Sequence, residues 1–98
     1  MEAIAIQRCV EIVREIRDGK KRITEFSFDM HLYPHQIAVK DEQITLSTVY
    51  DISYRTNRGA DAIGFLYLHT NRGVRTFYVR EHPASFIDAY QKLKDSRS

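Results

Sequence analysis

Apolar and polar residues alternate along most of this chain. In "RITEFSFDMHL", Arg22 to Leu32, the positions Thr24, Phe26, Phe28, Met30 and Leu32 share one face at the period-two spacing of a β-strand. The upstream stretch "AIAIQRCVEIVREI", residues 3–16, fits two patterns. As a helix it gathers Ile6, Cys9, Val10, Val13 and Ile16; as a strand, Ile4, Ile6, Val10, Ile12 and Ile16 alternate with smaller or polar residues. Its density of β-branched residues leans toward strand.

The junction Arg17-Asp18-Gly19 makes a hairpin of the two stretches. A three-residue loop with Gly19 in the left-handed position is a common hairpin connection. It pairs Ile16 with Lys20, Val10 with Phe26, Ile6 with Met30 and Ile4 with Leu32, and sets Glu15 opposite Lys21. A two-residue loop would set Val10 opposite Ser27 and waste the apolar face. The three-residue loop is therefore the expectation.

Tyr33-Pro34-His35 interrupts the alternation, because proline cannot donate to a ladder. "QIAVK" follows as a short strand, then a turn at Asp41-Glu42, then "QITLSTVYDISYR". The phase of that last segment slips near Ser47-Thr48, which predicts a bulge or bend where the strand passes from one sheet to another. "TNRG" occurs at Thr56–Gly59 and Thr70–Gly73, the same turn grammar at two strand ends. The second copy closes a hairpin in which Thr70 pairs with Val74, Tyr67 with Phe77 and Phe65 with Val79. Leu66, Leu68 and Tyr78 then share the other face, a candidate interface.

From residue 83 the period changes. Pro83 suits a first helical position, where its missing N–H costs nothing. Phe86, Ala89, Tyr90 and Leu93 form one helical stripe to about residue 95. The expected fold is thus mainly β, with about seven strands over residues 3–81 and one C-terminal helix, all within a single domain spanning 1–98.

Composition agrees with a globular domain: 43% of the 98 residues are hydrophobic and 29% charged. No apolar run approaches the ~20 residues of a membrane-spanning helix. The N-terminus lacks a basic region followed by an apolar block, which argues against a signal peptide. The only cysteine is Cys9, so no internal disulfide forms. These features favour a cytoplasmic protein. The net charge of +2 is too small to mark a nucleic-acid binder by itself. Charge is unevenly spread, however: Arg55, Arg58, Arg72, Arg75 and Arg80 are interrupted by one acid, Asp61.

Three segments carry a family resemblance: "ITLSTVYDISYR", "GFLYLHTNRGVRTFYV" and "HPASFIDAYQKL". They resemble the core of small bacterial pleckstrin-homology-like and GRAM-like domains, over roughly residues 30–95. The resemblance implies two packed antiparallel sheets in a partly open barrel capped by the last helix. In lipid-binding members, basic side chains of the first hairpin hold phosphate groups. Lys20, Lys21 and Arg22 match part of that pattern, with Arg14 or Arg17 in the place of its first lysine. The turns near Asp41 and Asn71–Gly73 would bring Arg72 and Arg75 to the same end. A phosphate there would take charge-assisted hydrogen bonds, although Asp18, Asp41 and Glu42 add negative charge.

Other constellations are thin. His31 and His35 lack a third ligand at fixed spacing, so no metal is expected. Cys9, read as outward-facing, has no base placed beside it. Ser47, Asp51 and His69 compose a triad on paper, without a nucleophile elbow. The dispersed glycines form no phosphate loop, and Tyr67, Phe77 and Tyr78 beside arginines read as packing rather than base stacking. The sequence therefore predicts no catalytic site and no cofactor. It predicts a binding or scaffold module acting through protein contact or self-association, the alternative being an anionic lipid or phosphorylated ligand at the basic hairpin.

Overall fold

The computed structural model describes residues 2–56 and 63–97, the last of these by its backbone alone. The strands are β1 (Ala5–Arg17), β2 (Lys20–Leu32), β3 (Gln36–Val39), β4 (Glu42–Thr45), β5 (Val49–Thr56), β6 (Gly64–Thr70) and β7 (Gly73–Val79). A 3-10 turn, Leu46–Thr48, separates β4 from β5, and the helix α1 (Ala84–Arg97) closes the chain. The first of the two "TNRG" segments, beyond Thr56, lies outside the described residues, as do Arg58 and Asp61.

All seven strands belong to one antiparallel sheet in the order β4-β3-β2-β1-β7-β6-β5, and it does not close on itself. One paired position, Val10 opposite Tyr78, joins the first four strands to the last three. The phase slip near Ser47 is the 3-10 turn together with a register shift between Val49 and Asp51.

Both hairpin registers differ from expectation by one residue, because each loop has two residues rather than three. Asp18 (φ 53°) and Gly19 (φ 75°) both adopt left-handed backbone. That is the signature of a two-residue type I′ turn, which Asp-Gly favours because its twist matches the strands it joins. Arg17 therefore pairs with Lys20, Cys9 with Phe28, Gln7 with Met30 and Val10 with Ser27. In the second hairpin Thr70 pairs with Gly73, Leu66 with Phe77 and Phe65 with Tyr78.

The shifts decide what is buried. Cys9, Met30 and Leu32 enter the core with Ile37, Val39, Leu46, Ile52, Leu66, Leu68 and Val79. Ile6, Ile16 and Phe26, expected to build an apolar face, are exposed, as is Ile23. Gln7 is the buried polar residue of β1, and its Nε2 donates to the carbonyls of Arg8 and Glu81 at 3.1 and 3.2 Å. The helix stripe matches its expectation. Phe86 and Tyr90 are buried, Ala89 and Leu93 pack beside them, and Tyr90 Oη donates to the Val49 carbonyl at 3.0 Å. Gly64 lies close against the end of the Tyr54 ring, which packs edge-on to His82, so a side chain at 64 would have to displace that ring.

Candidate functional site

β1 and β2 are each 13 residues long, about 43 Å of extended chain at ~3.3 Å per residue. The rest of the sheet is too small to cover them. β7 meets β1 only at Val10, and β3 meets β2 only at Met30–Leu32. Beyond those points no described strand pairs with the hairpin, which runs on to Arg17 and back from Lys20 as an arm. Its length explains a molecule 54 Å long and 29 × 26 Å across. The radius of gyration is 15.1 Å, against about 13 Å for a compact domain of this size.

The arm is unusually apolar for something exposed. Ile16 and Ile23 are 74% and 70% accessible, and Phe26 is 53% accessible. On one face the rows are Ile12 opposite Glu25, Arg14 opposite Ile23, and Ile16 opposite Lys21. Ile12, Ile23 and Ile16 thus zigzag along one diagonal, and Glu25, Arg14 and Lys21 along the other. The opposite face carries Glu11 with Phe26, Val13 with Thr24 and Glu15 with Arg22.

Arg80 anchors the base of the arm. Its guanidinium donates to both carboxylate oxygens of Glu25, with Nε at 3.0 and 2.9 Å, and these hydrogen bonds hold the Glu25 carboxyl below the usual carboxylate range. Arg17 lies 3.7 Å from Glu15. Among the described residues no acidic side chain pairs with Lys20, Lys21 or Arg22, all exposed at the tip.

The basic residues expected to converge do not. Arg75 is clamped by Glu42 through two hydrogen bonds of 2.7 and 2.8 Å. The pair lowers the Glu42 carboxyl's affinity for protons and raises that of the arginine. Arg72 sits on the neighbouring turn, lining a shallow cleft with Thr45, Thr48 and Arg75. A second open cleft, about 250 Å³, touches the arm at Val10, Glu11 and Phe28. Its cations are already matched, Lys40 with Glu11 at 3.0 Å and Arg75 with Glu42. Lys20 stands beyond Phe28 by about 26 Å of strand, so Arg72 and Arg75 share no site with Lys20, Lys21 and Arg22. The arm's length separates them, and it was legible as paired strand but not as unsupported strand.

The interface expectation is corrected in the same way. Leu66 and Leu68 are fully buried in the core. Tyr78 lies on the outer face, 42% exposed, its ring edge-on to Phe65 at 5.6 Å between centroids. The one-residue register shift puts them on opposite sides of the sheet.

Cys9 faces inward, not outward. Burial, with a smaller contribution from Asp29, pushes its thiol up to about 12, so it stays protonated and unreactive at neutral pH. Ser53 rather than Ser47 meets His69, Oγ to Nε2 at 2.8 Å, on the sheet's outer face where Asp51 is opposite His69 in the ladder. The pair forms a cross-strand hydrogen bond between β5 and β6. No described helix is long and apolar enough to cross a membrane.

No protein-family model, no curated protein and no solved structure matches the chain.

Proposed function

We propose that this chain is a non-catalytic binding module that works through protein–protein contact, self-association included, with the β1–β2 arm as the contacting element. The observation that carries this reading is the arm's composition: Ile16, Ile23 and Phe26 remain in water on a ribbon that no other described element covers. Exposed apolar clusters rimmed by charge mark contact surfaces, and unpaired strand edges template further pairing. Membership of the pleckstrin-homology-like family is part of the proposal. Its support is the order of seven strands followed by a helix whose Phe86 and Tyr90 enter the core.

Sedimentation velocity over a wide concentration range tests the reading. The wild type is expected to sediment faster as concentration rises. The double variant Ile16→Thr, Ile23→Thr keeps strand-favouring β-branched residues and should sediment as a monomer with an unchanged circular dichroism spectrum. A wild type that remains monomeric, or a variant that associates equally well, would count against the arm.

The second reading is an anionic lipid headgroup or phosphorylated ligand at the arm's tip. It draws on Lys20, Lys21 and Arg22, with Arg14 and Arg17 nearby, and no longer includes Arg72 or Arg75. Flotation with liposomes of acidic phospholipid separates the two readings. Wild-type flotation, lost on charge reversal of Lys20, Lys21 and Arg22, would favour the lipid. Equal behaviour of both proteins removes it.

A further inference from the structure

The arm offers a specific register for a second copy of itself. Its closing pair is Arg17 with Lys20, and in a two-residue hairpin that pair exchanges both of its hydrogen bonds. Alternation then turns the backbone N–H and C=O groups of Lys20, Arg22 and Thr24 toward β1. Those of Lys21, Ile23 and Glu25 point away from β1, toward an edge that has no ladder partner among the described residues. A two-fold axis perpendicular to a sheet preserves its faces. Two β2 strands joined around such an axis must therefore place residues of the same face opposite each other.

Few centres satisfy both conditions without repulsion. Centring on Arg22 sets two arginines against each other, and centring on Glu25 sets two carboxylates together. Centring on Thr24 gives no charge pairing. Centring on Ile23 pairs Ile23 with its own copy and Lys21 with Glu25 of the second copy, twice by symmetry. Opposite-charge pairs across an antiparallel ladder stabilise it, and like charges destabilise it. Arg80 already holds the Glu25 carboxylate on that face, and a carboxylate has acceptor capacity left for a lysine.

We infer that two copies of this chain associate by antiparallel pairing of their β2 strands about Ile23, forming a continuous four-stranded ribbon. Its exposed face carries the row Arg14–Ile23–Ile23–Arg14, flanked on each side by a Lys21–Glu25 row that ends in Ile12 and Ile16. Backbone hydrogen bonds from the exposed edge supply affinity, and the two ion pairs select the register. This deepens the reading of the arm as a contact element and rests on it.

Charge variants test the register. Lys21→Glu and Glu25→Lys each place two like-charge pairs in a homodimer, and each should weaken self-association at least about tenfold. Mixed together, the two variants form a heterodimer in which both pairs are opposite again. Native mass spectrometry of the mixture should therefore show the heterodimer dominating both homodimers. A second measurement does not depend on charge. Ile23→Cys lies opposite its own copy, with Cα atoms about 5.5 Å apart in a hydrogen-bonded pair, within reach of a disulfide. It should cross-link on mild oxidation, while Ser27→Cys on the same edge should not, and the buried Cys9 stays silent. A statistical mixture of dimers, or cross-linking through Ser27 rather than Ile23, overturns the register but leaves an associating arm intact. A wild type that never associates removes the reading beneath it.

Discussion

Replacing Phe86 with alanine is expected to lower the unfolding free energy by about 3–5 kcal/mol, the range for truncating a fully buried phenylalanine. Phe86 is 1% exposed and lies in the first turn of α1, three residues after the buried Pro83. It packs into the cluster that holds Tyr90, Met30, Leu66 and Leu68. Two effects combine. The lost ring leaves a cavity that the surrounding strands, fixed by their ladders, cannot fill. The helix also loses its N-terminal anchor, and a 14-residue helix is marginal by itself in water. Urea unfolding followed by circular dichroism measures the loss. With a slope of about 1 kcal/mol per molar for a chain of this size, the midpoint should fall by roughly 3 M or more. A domain with only ~5 kcal/mol to lose would keep about 2 kcal/mol at the low end of that range and be about half unfolded without denaturant at the high end. A loss below about 1 kcal/mol would mean that Phe86 is not the plug of this core.

That helix was legible in the sequence because proline position and 3.6-residue spacing report the same element independently. The strands were legible too, since alternation survives whether or not a strand is buried. Which face is buried did not follow from alternation. At the first hairpin, choosing the register that stacks Val10 on Phe26 assumes that large apolar side chains must face inward. Here Ile16, Ile23 and Phe26 face water, and small or polar residues, Ala5, Gln7 and Cys9, face Leu32, Met30 and Phe28. The better signal was local. Asp18-Gly19 accommodates positive φ at both positions, and a two-residue turn fixes the register whatever the pattern of the arms. The same shift at Asn71–Gly73 moved Leu66 and Leu68 into the core and away from Tyr78. As for the candidate site, the basic tip could be read from Lys20, Lys21 and Arg22. Its isolation could not, because nothing in a strand's own sequence says where its neighbours stop.

Shortening the arm should separate folding from assembly. Excising Val13–Ile16 together with Lys21–Thr24 keeps the Arg17-Asp18-Gly19-Lys20 turn and removes an equal, even number of residues from each strand. Every remaining side chain therefore keeps its face. None of the excised residues belongs to the buried core. The urea midpoint should stay close to that of the wild type, since surface changes rarely exceed ~0.5 kcal/mol and no core contact is lost. The molecule should become about 13 Å shorter. Small-angle scattering should accordingly report a radius of gyration below 15.1 Å, near the ~13 Å of a compact domain. Self-association should disappear, because Ile16, Ile23 and the Lys21 half of the ion pairs are gone with the edge that carries them. A shortened protein that still associates as the wild type does would move the contact to the body of the sheet. One that fails to fold would show that the arm stabilises the core, against the exposure of both its faces. A ribbon that can be removed without loss of stability has no folding reason to hold isoleucines in water, as a contact surface does.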